Sequence, residues 1–403
     1  MSGCRSTSQQ PLPAPLPREP LRIGIDVTPL QIRDGRHGIG SYLRGLLPAL
    51  GRRHEPDEYR LFAYAGVPLA LPTLPPNFSV VDLPAPRLGR ATATFSHQLA
   101  LPLLARRHRL SLLHIPHVPV TASIPGIPLW QPVPLVVTVH DLIPLRFPSI
   151  MLPRSRHRAF YHLMLRVTQR AARVLCDSEA TRRDLLRECP ALGPRTSVVP
   201  LAPDPCFYDG PTEAGDARAA TLSAHRYVLH VGGPAPAKNL HRLVLAMEEL
   251  WTNDGVDIAL VCATSIACDP ARLGTGGGGA RRDIRVLPDV TTTFLRWLYQ
   301  HATCLAVPSL YEGFGLPVLE AMASGCPVVA SRVASLPEVG GDAALYVEPL
   351  EVMSIRNGLA GLLSDPGRQA RMREAGRIQA RHFSYDCTAA ATVEVYEGVR
   401  WSG

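Results

Sequence analysis

Two glutamates eight residues apart, Glu312 and Glu320, flank the run Gly313-Phe314-Gly315-Leu316-Pro317. A buried-strand pattern, Thr303–Val307, ends just before them at Pro308. Pro317 suits the first turn of a helix, where its missing N–H is not needed, and Gly325 suits the end of that helix. The free N–H groups of Phe314, Gly315 and Leu316 would then point out of a helix N-terminus, which is a ready anion site. The glycines let a diphosphate or a sugar approach the backbone. Glu320 is expected in the first helical turn, where the macrodipole favours its ionised form. Its two oxygens can accept both hydroxyls of a ribose, while Glu312, across the loop, would face a sugar. Taken singly, each carboxylate is more often a cap or a surface group. The combined strand–Glu–loop–Pro–helix–Glu–Gly–strand unit is far more specific.

Other chemistry-bearing residues stand at the ends of strand patterns. Lys238 is the only lysine in the chain, and with Asn239 it opens a helix after the strand Tyr227–Val231. A compact ammonium there suits phosphate charge; the bland alternative is a solvated helix-start lysine. His140 and Asp141 end the strand Leu135–Val139, at the carboxyl edge where α/β sheets bind ligands. Gly38-Ile39-Gly40 opens the first helix but is not a dinucleotide GxGxxG, because position 43 is Leu. Ser178 reads as the cap of a helix beginning at Glu179. The sequence has no Asp-x-Asp, no GxSxG and no His/Cys metal-ligand spacing.

The elements that must position these residues alternate. Strand patterns over Leu21–Val27, Tyr59–Tyr64, Ser79–Leu83, Leu112–Ile115, Leu135–Val139, Val174–Asp177 and Thr196–Val199 are separated by helical ones. The helical patterns include Gly38–Leu47, Ser96–Arg106, Arg154–Arg173 and Glu179–Arg187. After a Pro-, Asp- and Gly-containing connection, Ala202–His225, the alternation restarts at Tyr227, passes a Gly-rich loop at Gly274–Gly279, and turns mainly helical from Glu351. Such alternation predicts mainly parallel sheets covered on both faces. At 403 residues the chain should hold two domains of roughly 150–200 residues each. The expected division is a loose Pro-rich tail over 1–20, domains over 21–203 and 204–385, and a C-terminal helix over 386–403 that crosses back to the first domain.

Bulk composition narrows the setting. No apolar run approaches the ~18–20 residues of a spanning helix. The tail lacks the continuous apolar segment of a secretory signal. Nine Cys without CxxC pairs favour a reduced, cytoplasmic protein over a disulfide scaffold. Residues 1–200 carry 25 Arg against 12 carboxylates, while residues 201–403 carry 17 cations against 22. The first half therefore faces something anionic, or the chain is simply Arg-biased, since 41 of its 42 cations are Arg. Its basic segments, Arg87–Arg109 and Arg154–Arg183, lack the interleaved aromatics of a nucleic-acid module.

The segment Pro308-Ser309-Leu-Tyr-Glu312-Gly-Phe-Gly-Leu-Pro-Val-Leu-Glu320-Ala-Met-Ala-Ser-Gly325-Cys-Pro-Val-Val closely resembles the Glu-x7-Glu signature of family 4 of the retaining glycosyltransferases, as does Ser335-Leu-Pro-Glu338-Val-Gly-Gly-Asp342 downstream. Val231-Gly-Gly-Pro-Ala-Pro-Ala-Lys238-Asn239 resembles the family's basic loop, with Ala237 where Arg is frequent. Gly38-Ile-Gly40-Ser-Tyr42 and Thr138-Val-His140-Asp141-Leu-Ile-Pro resemble its GIGxY and VHDLIP segments. The resemblance spans most of residues 21–385.

It implies the GT-B fold, an α/β architecture of two doubly wound Rossmann-like domains facing each other across a cleft. It also implies that Glu320 binds the donor ribose and that Glu312 contacts the donor sugar near the reacting carbon. The amides of Phe314, Gly315 and Leu316 would hold sugar hydroxyls or phosphate. Lys238, with Asn239 beside it, would neutralise the leaving diphosphate. Gly38 and Gly40 would admit the diphosphate and acceptor, and His140 would hydrogen-bond the donor sugar.

The expected activity is metal-independent, retaining transfer of a hexose, mannose being favoured, from a nucleotide-diphosphate sugar to a glycan or lipid-linked acceptor. No cofactor beyond that donor is expected. The protein would be cytoplasmic, with the basic half contacting the inner face of an anionic membrane and no nucleic-acid partner. Two alternatives stand: another GT-B reaction, such as a phosphorylase or epimerase, or a non-catalytic nucleotide-sugar-binding partner in a glycan-assembly complex.

Overall fold

A computed structural model describes residues 19–31, 38–53, 56–71, 73–85, 95–119, 126–213, 215–264 and 283–399. Most of the Pro-rich tail, the loop Gly274–Gly279, and Arg87 and Arg90 of the first basic segment lie outside the described residues.

The strand patterns assemble into two all-parallel sheets. In the first, β1 (Arg22–Asp26), β2 (Glu58–Tyr64), β3 (Phe78–Leu83), β4 (Leu112–Ile115), β5 (Leu135–Val139), β6 (Arg173–Cys176) and β7 (Thr196–Val198) run in the order β3-β2-β1-β4-β5-β6-β7. In the second, β8 (Tyr227–Val231), β9 (Ala259–Thr264), β10 (Ile284–Pro288), β11 (Cys304–Val307), β12 (Val328–Ser331) and β13 (Ala344–Val347) run in the order β10-β9-β8-β11-β12-β13. Central strands such as β5 and β11 are buried at every position, as their unbroken apolar runs require in a sheet covered on both faces. Each order reverses direction once, between β1 and β4 and between β8 and β11. Those reversals open a crevice at the strands' carboxyl ends.

Some elements differ from the sequence expectation. The helix expected over Arg154–Arg173 spans Ser155–Thr168, because Arg173 already begins β6. The Ala202–His225 connection carries two short helical turns, Pro205–Tyr208 and Arg218–Leu222. The C-terminal region forms three helices, Val352–Leu363, Pro366–Ala380 and Tyr385–Glu397.

The last of these packs on the first domain's opening helix, Gly38–Arg52. A Cβ at Gly45 would overlap the Tyr385 ring, so glycine there is what lets the helices meet. Arg52 pairs with Asp386 at 2.7 Å. The buried His114 ring is held at Nδ1 by the Tyr396 hydroxyl (2.7 Å) and at Nε2 by Thr138 (2.8 Å). Burial pushes His114 down to about 3, so it is a neutral structural bridge. Among the described residues, no helix is long and apolar enough to cross a membrane.

Candidate active site

The switch-point strands of the second sheet, β8 and β11, carry the loops that bear Lys238 and Glu312. These loops are joined by a backbone hydrogen bond from Leu310 to the carbonyl of Ala237 (2.7 Å). Lys238 Nζ donates to both oxygens of Glu312, at 2.8 and 3.0 Å. Ser309 Oγ adds a third donor to Glu312 Oε1 at 2.7 Å. The pair is only partly open, with 26% of the Lys238 side chain and 9% of that of Glu312 exposed. A charged pair desolvated to this degree persists only when it is hydrogen-bonded this completely.

Asn239 links the two loops. It is buried in the left-handed region (φ 57°), and its Nδ2 donates to the carbonyls of Pro308 and Pro349 while its Oδ1 accepts from Arg242. Its side chain braces the Lys238 loop against the Glu312 loop. Ala237, where the family often has Arg, is itself buried.

Gly315, with φ 110°, turns the chain into the helix Leu316–Ala323. A Cβ there would come within 2.9 Å of Leu336 in addition to the backbone strain. The turn leaves the first amides of the helix without intrahelical acceptors. Ser335 Oγ clamps the loop by donating to the carbonyls of Glu312 (2.9 Å) and Phe314 (2.7 Å).

Glu320 is the fifth residue of this helix, beyond the first turn. Burial raises its pKa to about 7, although the Tyr299 hydroxyl donates to Oε2 at 3.0 Å. Desolvation therefore overrides the dipole effect expected from the sequence, which fades beyond the first turn.

The first domain brings His140 to the same place from the end of β5. Both ring nitrogens are occupied: Nδ1 lies 2.6 Å from Asp177 Oδ2, and Nε2 lies 2.8 Å from the carbonyl of Pro116. Both partners are acceptors, so the geometry calls for a ring protonated on both nitrogens. Burial opposes that charge, but the Asp177 carboxylate and the Pro116 carbonyl outweigh it and hold the pKa above its usual value. The hydrogen bond from this ring to a donor sugar, expected from the sequence, thus has no free ring nitrogen here. Tyr42, two residues after Gly40, meets the His140 ring edge-on at 5.2 Å, so the glycine loop of the first helix adjoins it. Around Gly38 none of the described residues lies within 4 Å of where a Cβ would stand.

The two halves meet at Gly313. Ser178 Oγ and Thr181 Oγ1 donate to its carbonyl at 2.7 and 3.0 Å. A Cβ on Gly313 would overlap the carbonyl oxygen of His140 and stand 2.7 Å from Asp141 Cβ. Nearby, the Glu338 carboxylate accepts from the amides of Glu179 and Ala180, both at 2.8 Å, capping the helix Glu179–Glu188 from the other domain. Ser178 caps the same helix from within through Thr181 N. The structure thus gathers Lys238, Glu312, the Phe314–Leu316 loop, His140 and the Gly38–Gly40 helix start around one seam, with Glu320 one helical turn further along.

Sequence reasoning passed over Asp177, Ser309, Tyr299 and Thr181. Ser309 stands three residues before Glu312 and Asp177 directly before Ser178, so both lay beside marked residues. Tyr299 comes from another helix and carried no local signal.

Two doubly wound domains whose strand ends face one another make this a GT-B protein. Residues 218–379 match the family model "Glycosyl transferases group 1", and residues 36–205 match "Glycosyltransferase Family 4". The chain belongs to this glycosyltransferase family. It is 29% identical over 385 residues to O-antigen chain mannosyltransferase B of Escherichia coli, covering 89% of this chain and 96% of that protein. It is also 29% identical over 397 residues to the MMP alpha-(1->4)-mannosyltransferase of Mycolicibacterium hassiacum, covering 95% and 92% respectively. Among solved structures, a sucrose-phosphate synthase from Thermosynechococcus elongatus superposes with a TM-score of 0.70 at 19% identity, covering 94% of this chain and 99% of that one, a likeness of fold.

The raised Glu320 pKa has a definite sign in stability. The folded state disfavours the ionised form, so the contribution of this group is fully present below the ordinary value of 4.5 and is lost as pH rises to about 7. Thermal unfolding of Glu320→Gln should gain on wild type between those two pH values and keep a constant lead above them. Parallel Tm profiles would mean that Glu320 is not desolvated.

Proposed function

We propose that this glycosyltransferase moves a hexose from a nucleotide-diphosphate sugar to an acceptor hydroxyl of a glycan or lipid-linked sugar, with retention and without a metal or other cofactor. The observation that carries the reading is the Lys238–Glu312 pair at the ends of the switch-point strands β8 and β11. Each member holds the other in place before a ligand arrives, so little reorganisation remains for the reaction step. On donor binding, Lys238 turns part of its charge to the diphosphate and Glu312 accepts from a sugar hydroxyl. The Gly315 and Leu316 amides face the same group, Glu320 in its ionised form accepts from the ribose, and the helix start at Gly38 and Gly40 admits the diphosphate.

In the transfer step the bond from the anomeric carbon to the diphosphate oxygen breaks, and its electron pair leaves with the nucleoside diphosphate. The acceptor oxygen bonds to the anomeric carbon on the same face and passes its proton to the departing phosphate oxygen. Lys238 stabilises the charge that grows on that phosphate. The His140 ring, locked by Asp177 and Pro116, keeps the β5 end rigid beside the seam. Tight contact at Gly313 excludes water, which would otherwise compete with the acceptor. The names of the two mannosyltransferase relatives support mannose as the hexose and a place in glycan assembly.

A membrane-facing surface fits a lipid-linked acceptor. Phe95, Leu99 and Leu103 are exposed at helical spacing, near exposed Leu129 and Trp130, and Arg154, Arg156 and Arg158 are exposed as well. Apolar and basic groups on one domain favour the inner, anionic leaflet, where each cation contributes about 1 kcal/mol.

Incubation with a panel of nucleotide sugars and lipid-linked acceptors should give one hexose-extended product whose anomeric configuration matches the donor. Lys238→Ala and Glu312→Ala should each lower kcat about 100-fold or more, and chelators should leave the rate unchanged. Identical nucleoside diphosphate release from wild type and Glu312→Ala with every donor would contradict the reading. Neutralising Arg154, Arg156 and Arg158 together should abolish co-sedimentation with anionic liposomes; unchanged binding would remove the membrane from the account.

A further inference from the structure

Consecutive side chains of the Glu312 loop part company. Glu312 turns to Lys238, while Tyr311 sends its hydroxyl to Asp184 Oδ2 of the first domain, 2.9 Å away. On the Tyr311 side lies a cavity of about 400 Å³ that contains none of the residues assigned above to the donor. A volume of that size falls in the ~300–1,000 Å³ range of small-molecule sites. Its charged lining is unusual: Arg146, Arg183 and Arg187 come from the first domain and Arg332 from the second, with Asp184 among them.

The charges do not cancel. Asp184, nearly buried, is shared by Arg146 at 2.7 Å and Arg187 at 2.8 Å. Arg183 reaches only 3.5 Å from Glu338, whose oxygens are already taken by the Glu179 and Ala180 amides. Arg332 lies over the Tyr346 ring and has no carboxylate partner among the described residues. Four guanidinium groups against two carboxylates leave two positive charges in surplus. Concentrating that surplus in a concavity raises the local potential for anions, and planar guanidinium forks match phosphate oxygens pairwise.

We propose that this arginine-lined cavity between the domains binds a phosphate group, separate from the donor site, and that its occupant ties the two domains together. A phosphate dianion matches the surplus of two. Arg332 would grip it from the second domain and Arg183 and Arg187 from the first, so the bound form is the closed one. Because Tyr311 joins the cavity to Glu312 along the chain, the occupant also steadies the reactive loop. The phosphate can belong to a free phosphate ester or to a lipid headgroup, and the test separates the two.

The full chain is heated with increasing inorganic phosphate or pyrophosphate at constant ionic strength, chloride serving as the balancing salt. Wild type should show a saturable rise in Tm of about 2 °C or more. Lys238→Ala, altered only in the donor site, should keep that rise. Arg187→Gln/Arg332→Gln, two exposed positions, should unfold near the wild-type Tm without phosphate and lose the rise. In a second arm, phosphate-free protein with Arg154, Arg156 and Arg158 already changed to Gln, with and without the Arg187→Gln/Arg332→Gln pair, is sedimented with phosphatidylcholine vesicles containing or lacking phosphatidylglycerol. A rise in Tm with free phosphate assigns the site to a soluble phosphate. Capture by phosphatidylglycerol that the double variant loses, without such a rise, assigns it to a lipid. The proposal is overturned if wild type responds in neither arm, if the double variant responds as wild type does, or if Lys238→Ala alone abolishes the rise.

Discussion

The close approach of Gly313 to the carbonyl of His140 is the contact on which the rest of the site depends. It joins a backbone segment of one domain to a backbone segment of the other with no side chain between them. Two hydroxyls, from Ser178 and Thr181, fix the Gly313 carbonyl. Backbone cannot be repacked as a side chain can, so this seam sets how far the domains close. Everything placed by the Glu312 loop, including the ion pair and the helix-start amides, is placed relative to it. The Glu338 cap on the Glu179–Glu188 helix and the Tyr311–Asp184 bond hold the same seam from one flank. The Tyr385–Glu397 helix, packed on the first domain, ties the chain's far end across the domain boundary.

Two ionisable centres divide the electrostatic work. Lys238 and Glu312 neutralise one another in a partly desolvated site, held in place by one another and by Ser309. His140 is different. Its ring is held between the Asp177 carboxyl group and the Pro116 carbonyl, so it offers a fixed ring plane. The first centre is therefore suited to answering developing charge, and the second to holding the β5 end where the seam needs it.

The strands were legible in the sequence because each is a short apolar run bounded by turn residues, and parallel sheets bury such runs on both faces. β4, β5 and β8 stand at the bounds read from the sequence. The Glu312–Glu320 segment was legible because its signals are local: a proline, glycines and two carboxylates within fourteen residues. What escaped depends on distance. The pairing of Asp177 with His140 and of Tyr299 with Glu320, and the spending of Asn239 on two proline carbonyls, join segments that only the fold brings together. The state of Glu320 escaped for another reason. A helix-dipole argument sees only the helix, while the burial that raises its pKa comes from everything packed around it. The role of Gly313 was hidden too, since a glycine needed for close approach looks the same in sequence as one needed for a turn.

The most direct measurement is therefore on Gly313→Ala, which adds one methyl group where the two backbones meet. Its φ lies outside the left-handed region, so alanine strains nothing locally and acts only through the clash with His140. The account predicts a fall in kcat of about 100-fold, donor binding and Tm close to wild type, and a larger radius of gyration by small-angle scattering with donor bound. Wild-type turnover with an unchanged, compact donor-bound form would contradict it.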